Sequence, residues 1–97
     1  LNGPFSTVVI GDNSTVIDVR TEQEYKKGHL KNALLLPYDT IRDTIAAHVP
    51  EKDAEIILYC RSGRRSGIAK KTLDAMGYKN VINAGAYEKL KAQANND

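Results

Sequence analysis

A chain of 97 residues holds one hydrophobic core and has little room for a second, so residues 1–97 are expected to form a single domain. With 41% hydrophobic and 27% charged residues it is too apolar for a disordered chain, and no apolar run reaches the length of a membrane span, about 18 to 20 residues. The net charge of +2 is too small a bias for a nucleic-acid binder, and the single cysteine excludes an internal disulfide.

Residues 1–14 are expected to form an N-terminal arm. Within it Thr7–Ile10 is a β-branched run, strand or arm, and Gly11-Asp12-Asn13 turns the chain. Val16–Val19 reads as a short strand. Thr21 and Glu24 then fit a capping box, a hydroxyl at N-cap with a carboxylate three residues on. A helix over Glu22–Lys27 follows and ends near Gly28. Ala33–Leu36 is continuously apolar, as a strand covered on both faces would be, and Pro37 closes it. Asp39 is the expected cap of the next helix. Ile41, Ile45 and Val49 recur every fourth residue along it, and Pro50 stops it.

Glu55–Tyr59 is the clearest strand. A glycine-containing loop leads from it to a helix from about Arg65 to Met76, with Ile68, Ala69, Thr72, Leu73 and Met76 on one stripe. Gly77 is its C-terminal cap. Val81–Asn83 is a last short strand, Tyr87–Gln93 a last helix, and 94–97 a frayed tail. Strands alternating with helices imply an α/β fold, a mainly parallel sheet flanked by helices. Ligands of such sheets bind beyond the carboxyl ends of the strands, where the loop after Glu55–Tyr59 lies.

That loop, Tyr59-Cys60-Arg61-Ser62-Gly63-Arg64-Arg65, carries the only cysteine. Between a buried strand and a helix the chain must curl tightly, and Gly63 eases the curl because it tolerates positive φ. Backbone N–H groups in such a curl converge on an anion. The helix N-terminus adds partial positive charge, and Arg61, Arg64 and Arg65 add full charges. All of these favour thiolate over thiol, so Cys60 reads as a nucleophile in a cup built for an anion. The plainer reading is a partly buried free cysteine with solvated arginines nearby.

Asp18 and Arg20 lie two apart at a strand end and so share a face. They read as an ion pair that holds loops in place, with Arg20 within reach of a pocket behind the cup. His29 reads as structural, His48 as a favourable cation at a helix end, and Lys26-Lys27 as a solvated face. Tyr38 and Tyr87 could rim the pocket, but each reads more readily as a packing residue. The two histidines are too far apart in sequence for a zinc spacing.

Together these motifs resemble the rhodanese family of sulfurtransferases, from about Val16 to Leu90. Ile17-Asp18-Val19-Arg20 is similar to the family's opening strand motif. The run from Glu24-Tyr25 through Gly28-His29 to Ala33, followed by Pro37, is similar to its second signature. The six residues Cys60–Arg65 are similar to its active-site loop, and Gly77-Tyr78 with Val81 through Asn83-Ala84-Gly85 to its closing motif. The likeness is greatest to the small single-domain bacterial rhodaneses of the phage-shock protein E type.

The resemblance implies a three-layer α/β/α fold with about four to five strands. It implies transfer of a sulfane sulfur from a donor such as thiosulfate to cyanide or a thiol, a protein thiol included, through a persulfide on Cys60. Arg61, Ser62, Gly63, Arg64 and Arg65 would then bind substrate, with Arg61 and Arg64 foremost and Arg65 able to turn into the helix start, while Asp18 and Arg20 would stand behind the site. No cofactor or metal is implied, and a monomer is expected. The chain begins at Leu1, as a processed, excised or tagged chain does, so the sequence does not fix its compartment; the resemblance implies a bacterial periplasm, and without it the cytoplasm is expected.

This chain departs from the family pattern at Asn32, Ala86 and Leu90, where many members have glycine, glycine and tryptophan. Two other functions stay open. A cysteine-loop phosphatase or arsenate reductase uses the same cup, but the position at its arginine spacing is Ser66 here. A non-catalytic rhodanese-like binding module would usually lack the cysteine.

Overall fold

The computed structural model describes residues 8–95. In chain order the elements are β1 (Thr15–Asp18), α1 (Glu22–Lys27), β2 (Leu34–Leu35), α2 (Ile41–His48), β3 (Ile56–Cys60), α3 (Arg64–Ala75), β4 (Val81–Ala86) and α4 (Tyr87–Asn95). The four strands form one sheet in the order β2-β1-β3-β4, with every neighbouring pair parallel. The fold is α/β, as the alternation implied.

Strand β3 is buried along its whole length, and its side chains alternate between two cores. Ile56, Leu58 and Cys60 face α2 and α3, together with Ile17, Ile41, Ile45, Ala69 and Leu73. Ile57 and Tyr59 face the other way, with Val16, Ala33 and Leu90. The period of two therefore decides that the thiol points toward α3.

Several local expectations hold. The capping box of α1 is complete: Glu24 N–H donates to Thr21 Oγ1 at 3.2 Å, and Thr21 N–H donates to the Glu24 carboxylate at 3.1 Å. Ile41, Ile45 and Val49 are all buried. Gly77 has φ +98 just past α3, which suits glycine.

Others need correction. Thr7 lies outside the described residues, and Val8–Ile10 is not a strand; Val9 is 78% exposed. Asp39 does not cap α2. The cap position is Thr40, without a side-chain cap hydrogen bond, because a turn closed by Thr40 N–H to Pro37 O sets its backbone. Strand β2 is two residues long and half-buried, as its place at the sheet edge allows. Helix α3 starts one residue early, at Arg64, because Gly63 in the left-handed region (φ +103) is its N-cap. Its inner face is Ser66, Ala69 and Leu73, a spacing of three and four residues, which turns Ile68 outward. Strand β4 runs three residues past Asn83, through a register irregularity opposite Leu58/Tyr59. Helix α4 continues to Asn95, into the stretch expected to fray.

Candidate active site

Cys60 is the last residue of β3, and its side chain is wholly buried. Arg61, Ser62 and Gly63 carry the chain over to α3. Gly63 is required twice. Its φ of +103 is costly for any other residue, and a Cβ there would lie 3.4 Å from Gly85 Cα.

This curl brings donors to the sulfur. Gly63 N–H donates to Cys60 Sγ at 3.0 Å, and Ser66 Oγ lies 3.5 Å from the same atom. Burial pushes the thiol pKa up. The Ser66 hydroxyl and the N–H groups of Ser66, Gly63 and Ser62 outweigh it and bring the thiol from its ordinary 9.0 down to about 7. Close to half of the sulfur is then thiolate at neutral pH.

The three arginines of the loop part company. Arg61 and Arg64 are exposed, and among the described residues neither is in an ion pair. Arg65 is turned away, donating to both carboxylate oxygens of Glu24 at 2.9 and 3.0 Å. That pair draws the Glu24 carboxyl down to about 2 and raises Arg65. Arg65 still acts on the sulfur by its charge. Of the side chains expected at the substrate, Arg61, Ser62 and Arg64 are exposed, while Arg65 is engaged by Glu24.

Asp18 and Arg20 form a buried fork. Arg20 Nε and Nη2 donate to the Asp18 carboxylate at 2.7 to 3.0 Å, and Nη2 also donates to Gly28 O at 2.6 Å. The guanidinium stacks 4.5 Å from the Tyr87 ring centre and 5.6 Å from that of Tyr59. Tyr59 and Tyr87 belong to the core opposite Cys60. The pair thus joins β1 to the turn after α1, and neither residue hydrogen-bonds the cysteine loop.

His29 is exposed, stacked on Tyr25 at 3.6 Å, with Nδ1 2.7 Å from Tyr25 O; it does not hydrogen-bond Cys60. Among the described residues no three His, Cys, Asp or Glu side chains gather into a metal site.

Two participants went unnoticed in the sequence. Ser66 is buried beneath the sulfur, and the period of α3 could have found it. Asn83 accepts from Ser66 Oγ at 2.6 Å and from Gly85 N–H at 3.0 Å, and its Nδ2 donates to Gly63 O at 3.1 Å. Only its place in the closing motif hinted at this.

The chain matches the Rhodanese-like domain family over residues 8–93. It is 39% identical over 74 residues to the thiosulfate sulfurtransferase PspE of Escherichia coli, covering 76% of this chain and 71% of that protein. It is also 39% identical over 69 residues to a tRNA uridine(34) hydroxylase of Erwinia tasmaniensis, covering 67% of this chain and only 20% of the hydroxylase. Among solved structures, a rhodanese with anions from E. coli superposes with a TM-score of 0.75 at 39% identity, over 77% of this chain and 88% of that one. The loop, the sheet order and these matches agree that the chain belongs to the Rhodanese-like domain family.

Proposed function

We propose that the protein is a thiosulfate sulfurtransferase whose Cys60 carries the sulfur. The observation that carries this reading is a thiol drawn down to about 7 by converging donors, in a loop whose Arg61 and Arg64 are exposed and, among the described residues, outside any ion pair. Arg61 and Arg64 hold the sulfonate end of thiosulfate. The Cys60 thiolate attacks the sulfane sulfur, a new S–S bond forms, and the S–S bond of thiosulfate breaks. Sulfite leaves with the bonding electron pair, and no proton moves. The persulfide anion lies against the N–H groups and the Ser66 hydroxyl, which stabilise charge in a site shielded from water. Attack by cyanide or a thiolate on the outer sulfur then returns the Cys60 thiolate and releases thiocyanate or a second persulfide.

The similarity to PspE and to an anion-bound rhodanese supports this chemistry. So does Ser66, which stands where a cysteine-loop phosphatase needs its arginine.

Intact-mass spectrometry after incubation with thiosulfate tests the reading. The chain gains the mass of one sulfur atom, and Cys60→Ser abolishes the gain. The same adduct on the Ser variant, or efficient turnover of p-nitrophenyl phosphate without any adduct, would sink it.

A further inference from the structure

The Ser66 hydroxyl has one proton and two acceptors. Asn83 Oδ1 lies 2.6 Å from Ser66 Oγ, and Cys60 Sγ lies 3.5 Å from it. The Asn83 amide cannot be turned round, because Gly63 O accepts only and so fixes Nδ2 on its side. Oδ1 therefore faces Ser66, and at these distances it holds the proton. Ser66 is wholly buried, so no water takes either acceptor's place at the hydroxyl.

When the sulfur is anionic the balance changes. A hydrogen bond to a charged acceptor is stronger than one to a neutral amide. Turning the hydroxyl to the sulfur leaves Oδ1 satisfied, since Gly85 N–H still donates to it at 3.0 Å. Nδ2 keeps its hold on Gly63 O, which also accepts from Gly67 N–H at 3.0 Å. Gly67 makes room for this arrangement: a Cβ there would stand 3.4 Å from Asn83 Nδ2.

We infer that Asn83 is a positioning residue that acts through Ser66, holding the hydroxyl proton while the sulfur is a neutral thiol and yielding it when the sulfur becomes anionic. The inference rests on the reading of Cys60 as the sulfur carrier. The loop and α3 carry Arg61, Arg64 and Arg65, the last paired with Glu24 of α1; Tyr38 packs against the same core as Cys60, and Arg42, Asp43 and His48 of α2 are exposed. Asp18 of β1 is closed in its pair with Arg20, and β4 brings no charge. None of these has its proton or its partner at Ser66, so the competition for the hydroxyl is between Asn83 and the sulfur alone.

A purely structural Asn83 and a competing acceptor act with opposite signs. Loosening the loop withdraws N–H donors from the sulfur and raises its pKa. Freeing the Ser66 hydroxyl gives the sulfur a donor without a rival and lowers it. The test is the pH dependence of iodoacetamide alkylation of Cys60 in the wild type, Asn83→Ala, Ser66→Ala and the double variant. The midpoint in Asn83→Ala falls by about half to one pH unit, the size of one hydrogen bond. In the Ser66→Ala background the same change produces no fall. A rise, no change, or an equal fall without Ser66 overturns the inference.

Should Asn83→Ala not fold, the wild type decides. The side-chain carbonyl carbon-13 signal of Asn83 then titrates with the Cys60 midpoint, and most of that movement disappears in Ser66→Ala; a flat wild-type signal overturns the inference. Neither measurement needs a sulfur donor. A missing sulfur adduct would therefore fail the sulfurtransferase reading and leave the proton competition separately tested.

Discussion

Arg65 at the start of α3 is bound through both guanidinium branches to Glu24 of α1, at 2.9 and 3.0 Å. The same carboxylate completes the capping box with Thr21. One side chain therefore starts one helix and fixes the orientation of another beside the sulfur. It also engages the guanidinium of Arg65, whose charge still reaches the sulfur.

Glu24→Gln separates these effects. It keeps most of the cap and releases the Arg65 charge. KM for thiosulfate should fall about twofold to fivefold, while stability drops by about 1 kcal/mol. Steady-state kinetics and urea unfolding check both. In the wild type the folded Glu24 pKa of about 2 lies below its ordinary 4.5, so the pair stabilises fully above 4.5 and is lost as pH falls through 2. The Glu24→Gln variant should lack that acid-side loss.

Cys60 should give the proposed activity its pH dependence. Its folded pKa of about 7 lies below the ordinary 9.0. The thiolate is therefore complete above pH 9 and is lost as pH falls through 7. The rate of sulfite release in a single turnover should rise with pH and level off above a midpoint near 7. A midpoint near 9 would mean that the converging donors do not act on the sulfur.

Gly63→Ala should lose both stability and reactivity. The left-handed backbone strains alanine, and the added Cβ meets Gly85 Cα at 3.4 Å. A loss of about 1 to 2 kcal/mol is expected in thermal unfolding. Alkylation at pH 7 should slow severalfold, because the N–H at 3.0 Å from the sulfur is displaced.

Arg61→Ala and Arg64→Ala should each raise KM for thiosulfate, by roughly tenfold in the more affected variant. Stability should stay within about 0.5 kcal/mol of the wild type, since both side chains are exposed and outside any described ion pair. Initial rates over a range of thiosulfate concentrations, with calorimetry, distinguish binding from folding. An unchanged KM in the double variant would remove both arginines from the substrate.

Much of this fold is legible because it is local. Thr21 and Glu24 announce α1 three residues apart, and Ile41, Ile45 and Val49 announce the inner face of α2. The phase of α3 is less plain. An apolar stripe favours Ile68, yet the helix turns it outward and buries Ser66, whose hydroxyl has two partners waiting inside. Burial of apolar side chains is a one-way rule, and it does not say which polar residue comes along.

The rest depends on pairs distant in sequence. Glu24 and Arg65 stand 41 residues apart, so the sequence shows three loop arginines without saying which one is already engaged. Asn83 reads as an ordinary end of a short strand. Its bonds to Ser66 and Gly63, 17 and 20 residues away, exist only once β4 lies beside the cysteine loop and α3; just past it β4 pairs with β3 out of step.

That step has a consequence for counting. Leu58 pairs with Asn83, but Tyr59 pairs with Gly85, so Ala84 is one residue more than the ladder needs. Deleting it would leave Gly85 and Ala86 opposite Tyr59 and Cys60 but remove the local bend and added twist that the extra residue gives β4. Gly85, whose Cα a Cβ on Gly63 would meet at 3.4 Å, would then shift against the cysteine loop. The stretch from Val81 to Tyr87 is thus tied by its length to the cysteine loop: an insertion or deletion there should disturb the approach of Gly85 to Gly63.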